Sequence, residues 1–352
     1  MKKELLGVFA LFIVALLLAG CVIPPIGGEK DITALIPAKA DSVAVIDWKQ
    51  IMDDKDIWES MPQSSVDDFE TSLQEMEKET GIDMTKIEKI AVFGDMSAYM
   101  SLYSASAYGS ANSANTPMAG VILQGTFDSA KIKEAITEQD NTESKTYNGQ
   151  TIYYSESGGT DSAVGIIGDS YIIIGTMETV EEVIDVESGK AKAIDADFIG
   201  KYSGKVDTSG WIVAVITVPA DAKASLKSSP SSAGSPIDSK LFANVDEVAL
   251  SYSKSGSNMD VKISLYCSNE NSATKIGDAL DGILKLAKGT LEEGTATEAL
   301  VSKLALKTDG RFVSASLTTT QKELEEVQAE MNAAQSSGYN SQPSYSDDSY
   351  YG

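Results

Sequence analysis

Histidine is absent from this chain of 352 residues. Its absence removes the side chain that most often serves as a general base near neutral pH and most often binds transition metals. Cysteine occurs only as Cys21 and Cys267. Cys267 ends an apolar strand pattern, and we expect it to be a small buried side chain. The sequence therefore predicts a protein that is not an enzyme and that uses no metal or other cofactor.

Positive charge is also scarce in this sequence. Lysine and arginine together number 28, against 52 aspartates and glutamates, and the formal net charge is −24 at pH 7. Such a chain repels phosphate backbones and anionic lipid headgroups. We therefore expect no nucleic-acid partner, and contact with a membrane has to come from an attached lipid rather than from a basic patch.

The N-terminal stretch has the organisation of an export signal. Lys2 and Lys3 form a basic head, and an apolar run from Leu5 to Leu18 ends in Leu18-Ala19-Gly20-Cys21. This ending resembles the lipobox of secreted lipoproteins, in which cleavage leaves a cysteine that carries the lipid. The resemblance implies a signal peptide over residues 1–20, a lipid on Cys21 and a tether over residues 21–31. The body of the protein is then held on the extracytoplasmic side of the membrane.

The same stretch allows a second interpretation, a single N-terminal transmembrane helix that is never cleaved. Val22, Ile23 and Ile26 prolong the apolar run towards the roughly 20 residues that a bilayer requires. Pro24 and Pro25 interrupt it, because proline lacks the amide hydrogen that a continuing helix needs. We favour the lipoprotein, and both interpretations place the body outside the cytoplasm.

The body of the chain repeats its order of predicted elements. Strand patterns occur at Ser42–Trp48 and again at Trp211–Ile216, and the hairpin pattern of residues 163–175 returns at residues 304–317. We infer an internal duplication and predict an α+β fold of two tandem similar units, each a mainly antiparallel sheet with helices on one face. The predicted segments are a first unit at 32–187, a polar linker at 188–209, a second unit at 210–334 and a disordered tail at 335–352.

A short motif precedes the first predicted strand. Leu35-Ile36-Pro37-Ala38 leads through Ala40 and Asp41 to Val43. With the repeated strand–helix order, this motif resembles a class of exported bacterial and archaeal proteins of unknown function, which have a leader and then a leucine–proline–alanine step into the first strand. The resemblance covers residues 31–334. It implies a protein of the cell envelope and no catalytic residues.

Some predicted strands are apolar on both alternations, among them Ala119–Leu123 and Tyr171–Ile174. Such strands have to be covered on both faces, by the sister unit, by a partner or by a ligand. Packing of the two units on each other is the simplest cover and needs no ligand. We therefore favour an interaction or structural protein of the envelope, with a carrier of an apolar ligand as the alternative.

One pair of residues has the spacing of a catalytic site. Ser272 and Lys275 match the serine–lysine pair of some hydrolases, which places a hydroxyl and an amine one helical turn apart. The Ser-Asp-Asn and Lys-Thr-Gly motifs that accompany such a pair are missing from the chain. Since a helix is predicted to begin here, we interpret Ser272 as a helix cap and treat the hydrolase as the weaker hypothesis.

Two acidic segments offer oxygen ligands that calcium uses. These are residues 53–56 and the group of Asp140, Asn141 and Glu143. Neither has the central glycine and distal glutamate of a calcium-binding loop, so we interpret both as solvated turns.

Three tyrosines stand at or within a stretch of small residues, Tyr99, Tyr103 and Tyr108. Tyrosine combines a large apolar ring with a polar hydroxyl and is common in adaptable contacts. We propose these tyrosines as candidate contacts to a partner protein, against the alternative that they are sheet-edge and loop residues without a partner.

Overall fold

The computed structural model describes residues 31–60, 63–95, 118–139, 141–157, 160–228 and 239–339. Twelve strands of these residues form one antiparallel sheet. They are β1 Ser42–Ile46, β2 Ile87–Gly94, β3 Ala119–Gly125, β4 Glu143–Tyr147, β5 Gln150–Ser157, β6 Thr160–Ile167, β7 Tyr171–Gly175, β8 Ile212–Thr217, β9 Val245–Ser255, β10 Asn258–Cys267, β11 Ala305–Asp309 and β12 Phe312–Thr320. The predicted α+β class with mainly antiparallel pairing is confirmed.

The helices of the described residues fall between and after these strands. They are α1 Trp48–Asp53, α2 Lys55–Ser60, α3 Gln63–Thr80, α4 Ser129–Thr137, α5 Met177–Glu187, α6 Asp197–Gly200, α7 Ala220–Ser228, α8 Glu270–Thr290, α9 Ala296–Lys303 and α10 Gln321–Tyr339. Short 3₁₀ helices occur at Ile32–Leu35, Met84–Lys86 and Ser239–Asn244. None of the helices within this part of the chain is long and apolar enough to cross a bilayer.

Local sequence signals set several element boundaries. Asp128 accepts hydrogen bonds from the first amides of α4, and Thr176 accepts one at the start of α5. Thr320 and Glu323 form the predicted capping box: each side chain accepts the other residue's backbone amide, at 3.3 and 3.1 Å. The β4–β5 hairpin turns at Asn148, with φ of 49°, as its Asn-Gly sequence predicts.

The strand order is β11-β12-β10-β9-β8-β1-β2-β3-β7-β6-β5-β4. Strands β1 and β8 pair at its centre, with Ala44 opposite Ala214. We call β1–β7 the first half and β8–β12 the second half. The strands of the two halves therefore lie side by side within one sheet and do not stack face to face, which corrects the expectation that the two units cover one another's faces.

We call the face that bears Ala44 and Ala214 the front face, and its opposite the back face. Leu123 of the front face packs with Ile51 of α1, Leu73 of α3 and Ile132 of α4. The back face packs with the 3₁₀ helix at Ile32–Leu35 and with α5. The prediction of helices on one face is thus wrong for the first half, because its central strands are apolar on both alternations and need cover on both sides.

The segment predicted as a polar linker, residues 188–209, packs against the back face of the second half. Tyr202 is fully buried there, in a cluster with Val206, Val215 and Ala249. The hydroxyl of Tyr202 donates a 2.7 Å hydrogen bond to the carboxylate of Glu247. A buried tyrosine with its hydroxyl satisfied stabilises the packing of this segment on the sheet.

Candidate functional site

The predicted lipobox residues Leu18, Ala19 and Gly20 and the predicted lipidation site Cys21 lie outside the described residues. The candidate partner contacts Tyr99, Tyr103 and Tyr108 lie outside them as well, as does Asp140. These assignments stay predictions.

The serine–lysine pair lies in the first turns of α8. The cap of this helix is Asn269, whose side chain accepts the Ser272 amide hydrogen at 2.9 Å. The prediction that Ser272 is the cap is therefore wrong by three positions. Asparagine caps a helix as well as serine does, so the local sequence offered both residues. Ser272 is buried at 9% exposure, whereas Lys275 is exposed. A serine here has a structural role as a small buried residue of the first turn.

The acidic segment at residues 53–56 is solvated at Asp53 and Asp56, whose side chains are 60% and 70% exposed, but not at Asp54, whose side chain is 14% exposed. Lys254 of β9 donates hydrogen bonds to both carboxylate oxygens of Asp54, at 2.6 and 2.7 Å, and to Asp56 at 2.9 Å. The side chain of Lys254 is 8% exposed, and its ammonium lies 5.9 Å from the ring centre of Trp211. The segment thus binds an ammonium from the other half of the sheet, which corrects the interpretation of Asp54 as part of a solvated turn.

Cys267 is completely buried, as predicted. Burial, with a smaller effect from Asp246, raises the pKa of its thiol to about 11, so the reactive thiolate is disfavoured. Arg311, the single arginine of the chain, donates from Nε to the Cys267 carbonyl at 2.6 Å and from its terminal nitrogen to Asp246 at 3.2 Å. Its guanidinium also stacks on Tyr266, 4.1 Å from the ring centre. These contacts occupy the polar groups at the end of β10, so they leave no group there free to act on a substrate.

One row of apolar residues crosses the front face from β5 to β11. Each member is the direct cross-strand partner of the next, so all point to the same side of the sheet. We call it the front row: Tyr153, Val164, Ile174, Val121, Val92, Ala44, Ala214, Leu250, Ile263, Ala315 and Leu306. At the usual inter-strand spacing it is ~50 Å long.

The front row is less covered than the row beside it. Ala44 is its one buried member; the others are partly exposed, and Ile263 is 38% exposed. The neighbouring front-face row of the first half contains Ile90 and Leu123, which are 2% and 0% exposed beneath the helices. Because β10 has a strand on each side, the exposure of Ile263 is not that of an edge residue. It indicates an apolar surface that the described residues leave open.

The two halves differ in the cover over this face. Helix α3, with Leu73 buried, follows β1 and covers the first half, whereas α7, which follows β8, has no buried residue. Counted outward from the central β1–β8 pair, Leu123 of β3 and Leu265 of β10 occupy corresponding positions in the two halves. Leu123 is 0% exposed and Leu265 is partly exposed. Among the described residues the second half therefore has no counterpart of α3, and its cover comes from α8, whose Ala273, Ile276 and Leu280 pack with Leu265 and Val313.

Helices α8, α9 and α10 pack loosely beside the exposed part of the front row. Only the first part of α8, through Ile276, has buried residues, and Leu286 in its last part is 63% exposed. Leu324 of α10 is 38% exposed. Among the described residues, the exposed large apolar side chains are Ile263, Leu286 and Leu324, and all three belong to this region of the second half.

Polar contacts, rather than an apolar core, join these three helices to one another. Lys288 of α8 donates to the Ser302 carbonyl at 3.2 Å, and Lys303 of α9 forms a 2.5 Å ion pair with Glu323 of α10. The amide of Thr297 donates to Glu330 at 3.1 Å. Exposed pairs of this kind contribute little to stability. The last part of α8, with α9 and α10, is therefore weakly fixed, whereas the first part of α8 is held on the sheet by the burial of Ala273 and Ile276 against Val313.

The chain matches no protein-family profile and no curated protein. Among solved structures it is similar to crystal form I of TP0453, at 10% identity and a TM-score of 0.41, over 86% of this chain and 98% of that one. Crystal forms III and IV of TP0453 give 11% and 12% identity and TM-scores of 0.42 and 0.44, over 86% and 85% of this chain and 99% and 96% of those chains. Likeness at this level assigns neither a family nor an activity. The class that the structure itself defines is an α+β protein built on one large antiparallel sheet.

Proposed function

We propose that this protein is a lipid-anchored extracytoplasmic protein, without enzymatic activity, that binds an apolar ligand on the front row of its second half. The exposure of Ile263, with the partly exposed Leu250 and Ala315 on either side of it in the row, supports the proposal, because contiguous exposed apolar side chains mark binding surfaces.

The geometry favours the carrier over the interaction protein that the sequence favours. That preference rested on mutual cover of the two units, and the units lie side by side instead. The interaction protein stays the second candidate because Leu286, 63% exposed on α8, suits contact with a protein partner.

We further propose that the two halves arose by duplication. The order β1-β2-β3-β7-β6 outward from the centre in the first half corresponds to β8-β9-β10-β12-β11 in the second. In both halves a helix follows the third strand, α4 after β3 and α8 after β10. This shared connectivity supports the predicted duplication. The described part of the β8–β9 connection holds no counterpart of α3, so the two halves differ there.

The lipid anchor is tested by processing at Cys21. The mature protein is expected to begin at Cys21, to partition into detergent and to be accessible to protease added to cells stripped of their wall. Two acyl chains are needed for firm retention, since a single chain binds only marginally. A processed, lipid-labelled product from Cys21→Ser would refute the lipobox, and an unprocessed product of the native chain would support the transmembrane alternative.

The ligand is tested by native mass spectrometry of the mature chain carrying Cys21→Ser, purified without detergent. We expect a co-purifying adduct of defined mass with the native front row. Ile263→Asn is expected to lose the adduct, and Leu286→Asn, a change of an exposed leucine outside the row, to retain it. A ligand-free monomer that takes up no amphiphile would refute the carrier, and a stable complex with another protein would favour the second candidate.

A further inference from the structure

The chemistry around the front row limits the headgroup of its ligand, if the proposed function is correct. The part of the row in the second half runs from Ala214 to Leu306 across four inter-strand spacings, ~19 Å. We place the headgroup of an extended ligand at the Leu306 end of this row, because α9 ends three residues before Leu306 and α8 and α10 pack on β11 and β12. We call these three helices and the turn that joins α8 to α9 the rim. The charges of this rim therefore decide which headgroups are accepted.

The rim is strongly acidic. Helices α8, α9 and α10 and the turn between α8 and α9 carry ten carboxylates and five lysines, a net charge of −5. Glu292 and Glu293 stand next to each other in that turn, and both are exposed. Like charges at a few ångströms repel even in water, so an anionic headgroup is disfavoured at this rim.

The lysines of the rim are already engaged. Lys285 pairs with Asp281 at 2.5 Å, and Lys322 pairs with Glu326 at 3.2 Å. Lys303 pairs with Glu323, and Lys288 donates to a backbone carbonyl. Of the five, only Lys275 has none of these contacts, and it lies in the first turns of α8, at the end opposite the Glu292–Glu293 turn.

The front face of the second half offers no free cation either. On the front face of strands β8–β12, the residue with a positive side chain is Lys254, opposite Met259. Its side chain is 8% exposed, and its ammonium is neutralised by Asp54 and Asp56. On this face of the sheet, a carboxylate or phosphate headgroup would therefore have to break that buried pair to gain a counter-charge, and the exchange is unfavourable.

We propose that the ligand is a single-chain amphiphile whose headgroup carries no negative charge. The apolar row supplies the binding energy through burial of the chain. The acidic rim discriminates against anionic headgroups by repulsion and accepts neutral or cationic ones, so charge gives the specificity and the row gives the affinity.

The test compares three probes with the same dodecyl chain, each below its micellar concentration: dodecyltrimethylammonium, dodecyl maltoside and sodium laurate. Binding to the Cys21→Ser mature chain is measured by calorimetry at pH 8. We expect laurate to bind at least about tenfold more weakly than dodecyltrimethylammonium at low ionic strength, which corresponds to the repulsion of one or two nearby charges. The difference should shrink in 1 M salt, where the screening length is ~3 Å.

A charge-reversed variant provides the second measurement. Glu292→Lys with Glu293→Lys changes exposed turn residues, so it is expected to fold normally and to raise the affinity for laurate while leaving dodecyl maltoside unchanged. Laurate binding as tightly as the other two probes, or a variant without effect on laurate, would overturn the inference and leave the proposed function standing. If none of the three probes binds, or if a second copy of the chain occupies the surface, the proposed function itself fails.

Discussion

The ammonium of Lys254 lies between both carboxylate oxygens of Asp54, at 2.6 and 2.7 Å, although 200 residues separate the two in the chain. Asp54 also accepts the amide hydrogen of Ile57 at 3.1 Å, so the same carboxylate begins α2. Burial lowers the pKa of Lys254, but hydrogen bonds and charge attraction from Asp54 and Asp56 outweigh it and raise that pKa overall. The pair therefore stays ionised and fixes α2 to the second half of the sheet.

We expect Lys254→Met to reduce the free energy of unfolding by about 3 kcal/mol, because it leaves the Asp54 carboxylate buried without its counter-charge. Urea unfolding followed by tryptophan fluorescence measures the change. Lys285→Met is the matched control, since Lys285 is 74% exposed in its pair with Asp281 and its loss should cost at most about 0.5 kcal/mol. Equal effects of the two changes would contradict the role given to Lys254.

The carboxyl of Asp47 at the end of β1 predicts a pH dependence of stability. Asp47 is 7% exposed, and its Oδ2 has no hydrogen-bond partner among the described residues. Burial raises the pKa of this carboxyl to about 7, against a smaller opposing effect of Lys89. Because the folded state holds this proton more tightly than the unfolded state does, stability falls as the pH rises from about 4 to 7 and stays lower above pH 7.

We expect Asp47→Asn to abolish most of this dependence. At about 1.4 kcal/mol per pKa unit, the variant should exceed the native chain by at most about 4 kcal/mol at pH 8 and by little at pH 4. Urea unfolding at a series of pH values measures both. The exposed Asp53 is the control, and Asp53→Asn should keep the native slope. A native chain whose stability is flat between pH 4 and 7 would disprove the assignment.

The thiol of Cys267 is expected to be inert in the folded protein. It is buried and its pKa is raised to about 11, so both access and ionisation are unfavourable at pH 8. A thiol reagent such as dithionitrobenzoate should label the Cys21→Ser chain only after urea is added. Ser302→Cys with Cys267→Ala places a thiol at an exposed position and should react in the folded state. Rapid labelling of native Cys267 would show that the end of β10 opens.

Two glycines provide opposite tests of packing. A Cβ at Gly125 would lie 2.2 Å from the backbone oxygen of Lys86, whereas a Cβ at Gly282 in α8 meets nothing within 4 Å. Gly125→Ala should therefore destabilise by about 1–3 kcal/mol through steric overlap. Gly282→Ala should stabilise by about 0.5–1 kcal/mol because alanine favours the helix. Thermal unfolding of the two variants distinguishes them by the sign of the change.

Features set by neighbouring residues could be predicted from the sequence. The strand at Ser42, the turn at Asn148 and the capping box at Thr320 depend on a few adjacent side chains, and all three are found in the structure. Trp48 marks the limit of this approach. It was predicted to continue β1 but begins α1, where it is 1% exposed and its indole donates to the Met84 carbonyl at 2.9 Å.

Features made by distant residues could not be predicted in this way. The pairing of β1 with β8 joins Ala44 to Ala214, and nothing in either strand's local pattern specifies its partner. The ion pair of Lys254 and the front row depend on that same pairing, because it brings the two halves into one sheet. The open surface at Ile263 becomes visible only after every strand has been assigned its neighbours.

The central pairing also means that neither half is a self-sufficient protein. Strands β1 and β8 contain no charged residue, and each would become an exposed edge if its partner strand were removed. An uncharged apolar edge is a template for pairing with another chain. In contrast, the outermost strands β4 and β11 carry Lys145 and Lys307, which protect them. A half expressed alone is therefore expected to self-associate through this strand, because in the intact chain each half covers the edge that the other would expose.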